Sequence, residues 1–381
     1  MQRCNILTIF LAFSLLAGAQ DWKVVREHPQ KAFPKTVAAG NYSGIAHLHD
    51  DIYAVVSDKS DSALYFNFRI QVNPKTGELE QVENLGFTER TDGTLNDGKP
   101  WLGQEKGFDH EAIVKASDSS LVITGEGYCR LKEYPILPTS ADAAKVDYQQ
   151  NLWESRWPSS DFYPNYNFES LAFDSVRQYL WTIPESTLRK DGQPATPQNG
   201  LANQLRLMRL DWGKIKENRN KEKYSEQVSS KKDSRYMTTY AYQMDQPSTH
   251  KKADIYVMGV SELCALPDGQ LLVLEREAFI PKIKIGAFCK CKLYLVNPLN
   301  SEEFSMKEKF SSDTPFLKKR LLTEWKTGLS LSKRSFANYE GMCLGPKLED
   351  GSQVVILLSD SQDQYAGVLK DWFKTIVIRK E

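Results

Sequence analysis

Short apolar runs recur in pairs along this chain, each pair joined by a polar turn. The clearest is Gly259 to Arg276, GVSELCALPDGQLLVLER, where two leucine-rich runs flank Pro267-Asp268-Gly269-Gln270. Asp-Gly between two apolar runs is a strong short-range signal for a β-hairpin. The pattern returns in Ser43 to Lys59, His110 to Tyr128, Phe168 to Ser186 and Tyr339 to Ser361. Each copy opens on a small or acidic residue and ends on an acidic stretch. The midpoints of Glu111 and Glu126, Glu169 and Glu185, Glu262 and Glu275, Glu340 and Asp360, and Ser43 and Asp58 all fall inside the polar turns. Hairpins folded there set each pair opposite, with Cβ atoms roughly 5 Å apart.

Less regular strands follow the hairpins at Ala63 to Val72, Gln204 to Trp212, Arg235 to Met244, Lys290 to Val296, Leu321 to Trp325 and Trp372 to Ile378. No helical apolar period of any length appears, and Lys214 to Lys232 reads as a charged, solvated excursion. A hairpin followed by two weaker strands, repeated without helices between, predicts an all-β fold: a β-propeller of five or six four-stranded blades. The hairpins lie nearest the axis, so their acidic ends converge on one mouth of the central channel. A degenerate sixth blade has room between Glu169 and Glu262, and Trp22 to Glu27 is placed to pair with the last strands and close the ring.

Composition narrows the partners. Lys plus Arg and Asp plus Glu both number 49 in 381 residues, so no net field favours nucleic acid. The N-terminus has Arg3, an apolar stretch from Ile6 to Leu16 and the cleavage pattern Ala17-Gly18-Ala19. That predicts a signal peptide over 1–19, a single domain over 20–381, and a secreted or periplasmic protein with no stable membrane insertion after cleavage. Five cysteines remain beyond Cys4, an odd number, and Cys264 and Cys343 occupy equivalent core positions of their hairpins. Cys289 and Cys291 share one strand face, and no CxxC spacing signals zinc. Buried thiols are the expectation.

The segments HEAIV…TGEGY, NFESLAFD…WTIPEST, GVSELCALPDGQLLVLER and NYEGMCLGP…LLSDSQ resemble the exported "esterase-like activity of phytase" (phytase-like) propeller family. The likeness runs from about Ser43 to Arg379. It implies a propeller and a hydrolase of phosphate or other esters, linked to a metal. The Asp-Asp-Pro-Ala pattern of the distinct alkaline propeller phytases is absent, so their calcium geometry does not transfer.

The acids at the hairpin ends suit a hard divalent cation, with calcium the natural choice for an oxygen-rich site. Glu111, Glu169, Glu262 and Glu340 open their hairpins and are the candidate metal ligands. Glu111, Glu126, Glu262 and Glu275 are the candidate catalytic carboxylates, and Lys59, Arg130, Arg189 and Arg276 the candidate binders of a small anionic or ester substrate. Such a site describes an exported metal-assisted phosphoesterase or esterase. A non-catalytic scaffold whose acids pair with basic neighbours, and a calcium-dependent lactonase, remain alternatives. Nucleophilic serine chemistry is weakly signalled: there is no G-x-S-x-G, though His47, His49 and His110 could assemble a histidine site. The aromatics from Trp153 to Phe168 fit a wall for a ring-shaped substrate or a plug over sheet edges.

Overall fold

The computed structural model describes residues 21–58, 65–86, 109–136, 153–221, 234–330, 334–361 and 369–381. The expected signal peptide, Lys59 and the whole polar stretch over 88–107 lie outside them.

Among the described residues, five four-stranded antiparallel sheets make up the fold. The first holds β2 (Tyr42–His49), β3 (Ile52–Ser57), β4 (Phe66–Val72) and β5 (Leu79–Gly86). The second holds β6 (His110–Ser117), β7 (Ser120–Gly125), β8 (Arg130–Pro135) and β9 (Trp153–Arg156). In the third are β10 (Ala172–Asp174), β11 (Tyr179–Thr182), β12 (Gln204–Asp211) and β13 (Met237–Gln243), and in the fourth β14 (Ile255–Ala265), β15 (Leu271–Ile280), β16 (Phe288–Val296) and β17 (Lys319–Gly328). The fifth orders β18 (Asn338–Lys347), β19 (Gln353–Asp360) and β20 (Phe373–Lys380), and its outer strand is β1 (Trp22–Glu27). Trp22 pairs with Lys380 and Glu27 with Ile376, so the N-terminal strand closes the last sheet as expected.

The first strands touch in a cycle: β2 with β6, β6 with β10, β10 with β14, β14 with β18, and β18 with β2. Five apolar cores fill the five spaces between neighbouring sheets. Ala54 and Val56 meet Leu121 and Ile123, Leu131 and Trp153 meet Leu180 and Met208, and Trp181 and Leu207 meet Val260 and Val273. Leu272 and Cys291 meet Val355 and Ile376, and Ile356 and Val377 meet Tyr53 and Phe68. The second strands are buried along nearly their whole length because they are packed on both sides.

Among the described residues the interval between Glu169 and Glu262 holds no sixth sheet. It holds α1 (Trp212–Lys221), which the charged sequence of that stretch does not announce. Trp212 and Ile215 bury one short face, and Lys216 and Arg219 pair with the buried Glu133 of β8. All five described cysteines are buried free thiols, with the Cys289 and Cys291 sulfurs 3.8 Å apart. The three histidines do not gather: His47 and His49 lie exposed at the turn end of β2, while His110 is fully buried at its strand's other end.

All five hairpins share a β-bulge near the open end of the first strand. Tyr42 faces Ser57 but Gly44 faces Val56, and Tyr339 faces Ser359 but Gly341 faces Leu358. His110 faces Gly125 but Ile113 faces Ile123, and Phe168 faces Pro184 but Ala172 faces Trp181. In β14, Val260 faces Glu275 and Glu262 faces Leu274. Glu262 therefore does not oppose Glu275, and Glu111 does not oppose Glu126. One extra residue on the first strand changes the partner of every residue beyond it.

Candidate functional site: a ring of carboxylates with one arginine

Before the bulge, the facing pairs are Asn41 and Asp58, Asp109 and Glu126, Asn167 and Glu185, Gly259 and Arg276, and Asn338 and Asp360. The amides of Asp58, Glu126 and Glu185 donate to the carbonyls of Asn41, Asp109 and Asn167. In or beside the bulge come Ser43, Glu111, Glu169, Ser261 and Glu340, and after it Gly44, Ala112, Ser170, Glu262 and Gly341. This alignment by register sets the fourth hairpin apart. Its second strand brings Arg276, not an acid, to the position held elsewhere by Asp58, Glu126, Glu185 and Asp360.

Arg276, only 4% exposed, ties three sheets together. Its Nη2 donates to Glu185 and lies 3.6 Å from Glu169 Oε2; its Nη1 donates to Glu340 and, at 3.1 Å, to Asn338 Oδ1. Asn338 Nδ2 in turn donates to Glu340 at 2.7 Å. Burial pulls the guanidinium down, but Glu185, Glu340 and Glu169 outweigh it and hold Arg276 well above its ordinary value. Gly259 leaves room for this contact, because a Cβ there would lie 2.3 Å from Glu185 Cγ.

Away from Arg276 the carboxylates crowd one another. Oxygens of Asp58, Asp109 and Glu111 lie within 4.8 Å of one another, as do oxygens of Glu111, Glu126 and Glu169. Asp109 holds its place with a left-handed backbone, φ 56°, as does Asn41 at φ 48°. Burial first, then Glu169, Asp58, Glu340 and Glu126, push Glu111 well above the carboxylate range. Burial, Glu185 and Asp109 push Glu126 up to about 7. Burial is also the largest cause raising Glu169 and Glu340, with Arg276 opposing it in both. Tyr166 stands beside this set: burial and Glu185 raise its phenol to about 12, so it stays a donor at neutral pH.

The expected site residues thus divide. Glu111, Glu126, Glu169, Glu340 and Arg276 come together, joined by Asp109, which sequence reasoning missed because it lies one residue outside the hairpin motif. Glu262 and Glu275 do not join them. Glu262, 1% exposed, accepts the amide hydrogens of Leu171, Leu263 and Met342, so it links three sheets beneath the ring. Glu275 faces away from Arg276, its strand neighbour, and bonds Tyr242 at 2.7 Å and Lys319 at 2.6 Å. Arg130 pairs with Glu154 of β9 at 3.0 Å. Arg189 is exposed, donates to Phe162 O at 2.6 Å and covers the Tyr163 ring. Trp153, Phe162 and Phe168 are core residues between the second and third sheets, so they form no open wall.

Arg276 also departs from its expected setting. Both ends of its guanidinium are occupied by carboxylates and an amide oxygen, as a counter-ion inside the ring.

No curated protein matches the chain. Solved structures similar to it include a streptogramin B lyase at 10% identity and TM-score 0.33, covering 93% of this chain and 98% of that one. An engineered GH43 glycoside hydrolase is similar at 9% identity and TM-score 0.37, over 93% and 52% of the two chains. A member of the DUF4221 family from Bacteroides vulgatus follows at 8% identity and TM-score 0.35, over 95% and 100%. Residues 37–362 match the model of one family, and that span includes every residue of the ring just described; the chain belongs to the phytase-like family, described as esterase-like activity of phytase.

Proposed function

We propose that this protein is an exported, cation-dependent ester hydrolase, with phosphoesters as its first substrate class. The five sheets act as blades of a propeller, and the carboxylate ring stands at one mouth of its channel. One observation carries the reading. Glu111 is 7% exposed, its neighbours raising it are all carboxylates, and among the described residues no basic group pairs with it. A buried carboxylate without a counter-charge is strongly disfavoured, so the folded ring calls for a cation.

The residues fit one. Glu111, Glu126 and Glu169 offer hard oxygen ligands at mutual distances that a calcium-sized ion can span. A cation there would polarise an ester oxygen and lower the pKa of bound water. Arg276 fixes the Glu169 and Glu185 side of the ring. Burial excludes bulk water from the base of the site.

A second reading, a non-catalytic scaffold, draws support from Arg276, because its contacts with Glu185, Glu340 and Asn338 are those of a structural tie. The two separate by turnover of p-nitrophenyl phosphate, p-nitrophenyl acetate and an aliphatic lactone, each with chelator and with added calcium. The expected result is phosphoester hydrolysis abolished by chelator, restored by calcium, and reduced more than about 100-fold in kcat/KM by Glu111→Gln, beyond the usual loss for an outer-shell partner. Turnover of the lactone alone selects a lactonase. No turnover of any of the three with calcium present selects the scaffold.

A further inference from the structure

The two groups of three carboxylates share one member. Asp58 and Asp109 lie with Glu111 in one group, and Glu126 and Glu169 lie with it in the other. Asp58 comes from the first sheet, Asp109, Glu111 and Glu126 from the second, and Glu169 from the third. The shared residue stands out by its surroundings. Its carboxylate is more than nine-tenths buried, and among the described residues it has neither a hydrogen-bond donor nor an ion-pair partner. Glu126 adds a second sign, because its Oε1 is buried without a hydrogen-bond partner.

We infer that the ring holds two adjacent divalent cations bridged by Glu111, one with Asp58 and Asp109 and the other with Glu126 and Glu169. This rests on the cation-dependent reading above and deepens it. Two oxygens held on one calcium ion at about 2.4 Å are at most about 5 Å apart. Each group meets that limit at 4.8 Å. A carboxylate has two oxygens, so Glu111 can give one to each ion, which accounts for its place between the groups. The five carboxylates form two groups and not one, so no single ion of that size reaches all of them.

A bridged pair also selects the substrate. Two cations about 4 Å apart clamp the attacking and leaving oxygens of an in-line displacement at phosphorus. Carboxyl esters need only one polarising ion. The pair therefore favours phosphoesters over carboxyl esters, and it supplies the positive charge that Arg276, occupied by Glu185 and Glu340, does not offer a substrate.

The test counts ions. Chelator-stripped full-length mature protein is dialysed to equilibrium against calcium, and against manganese, and bound metal is measured by mass spectrometry. Two ions per chain are expected. Asp109→Asn and Glu126→Gln should each retain one, while Glu111→Gln should weaken both by at least 100-fold. Melting temperatures of the metal-free variants, expected at or above wild type because each removes a repelling charge, check that they fold. Manganese in both positions should give a spin-coupled resonance signal. A wild type that saturates at one ion, or two manganese ions without coupling, overturns the bridged pair and leaves cation-dependent hydrolysis standing. Binding of no ion at all sinks both readings.

Discussion

Glu262 shows how far one residue of register changes a side chain's work. Read by its acid, it opens the fourth hairpin like Glu111, Glu169 and Glu340; read by its backbone pairing, it is the counterpart of Gly44, Ala112, Ser170 and Gly341. Small residues suit that position because the first strands approach closely: a Cβ on Gly44 would lie 2.6 Å from Glu111 O, and one on Gly341 would lie 2.9 Å from Ser43 O. Glu262 instead reaches the amides of Leu171 and Met342 in the two flanking sheets. Glu262→Ala leaves three buried donors without an acceptor, which costs about 3 kcal/mol at roughly 1 kcal/mol or more apiece. Glu262→Gln keeps an acceptor oxygen and should lose less than half of that in urea denaturation. Neither change should alter the rise in melting temperature with calcium, since Glu262 lies outside the carboxylate groups. The sequence could not reveal this, because a bulge leaves no residue signature: Ser43 and Ser261 occupy it as readily as Glu111, Glu169 and Glu340, and only the pairing on either side shows it.

Elements were more legible than their register. Paired apolar runs and turns built on Asp-Gly, Asp-Ser or Asp-Asp locate all five hairpins, because those signals are local. Helix α1 was not legible, since it buries chiefly Trp212 and Ile215 and owes its position to Glu133 in another sheet. The ties between sheets are equally non-local. Asp245, just after β13, accepts from Tyr294 at 2.6 Å and pairs with Lys292 of β16 and with Lys319 of β17 at 2.9 Å. Burial raises its carboxyl, but the hydrogen bonds from Lys292, Lys319 and Tyr294 outweigh burial and hold it below the ordinary aspartate range. A folded-state pKa below the unfolded one contributes stability above about pH 4, and that stability fades as pH falls through the folded value. Asp245→Asn should therefore be less stable than wild type at pH 5, with the gap narrowing by pH 3. Urea midpoints at the two pH values measure it, and an equal gap at both would refute the tie.

For the whole molecule, chain length and repeat number left five units against six open, and the described residues contain five sheets with a cyclic contact order. The wide interval before the fourth hairpin is spent on a helix and on ordered loops such as the one that buries Arg206 against Asp191 at 2.7 Å. Closure by β1 was legible, because Trp22 to Glu27 is an isolated strand with no hairpin of its own. The closure is reinforced sideways: Trp22 Nε1 donates to Asp268 in the turn of the fourth hairpin at 2.8 Å. Removing residues through 28 should lower the melting temperature by about 10 °C, a loss of several kcal/mol at this size. It should also promote aggregation through the bared edge of β20. A synthetic peptide of residues 21–29 should restore the melting temperature; failure to do so would mean that β1 is not what closes the last sheet.

The same pairing sets an order in time. A chain that emerges N-terminus first presents β1 before the other described strands, yet its partner β20 appears only after all of them. Every other sheet can be completed from one continuous stretch, while the fifth must wait for β1 and β20 to meet across all the strands between them. Contacts of such separation form slowly. Until the ends meet, the neighbours of the last gap remain uncovered, so the carboxylates can be gathered into a complete ring only in the final step of folding.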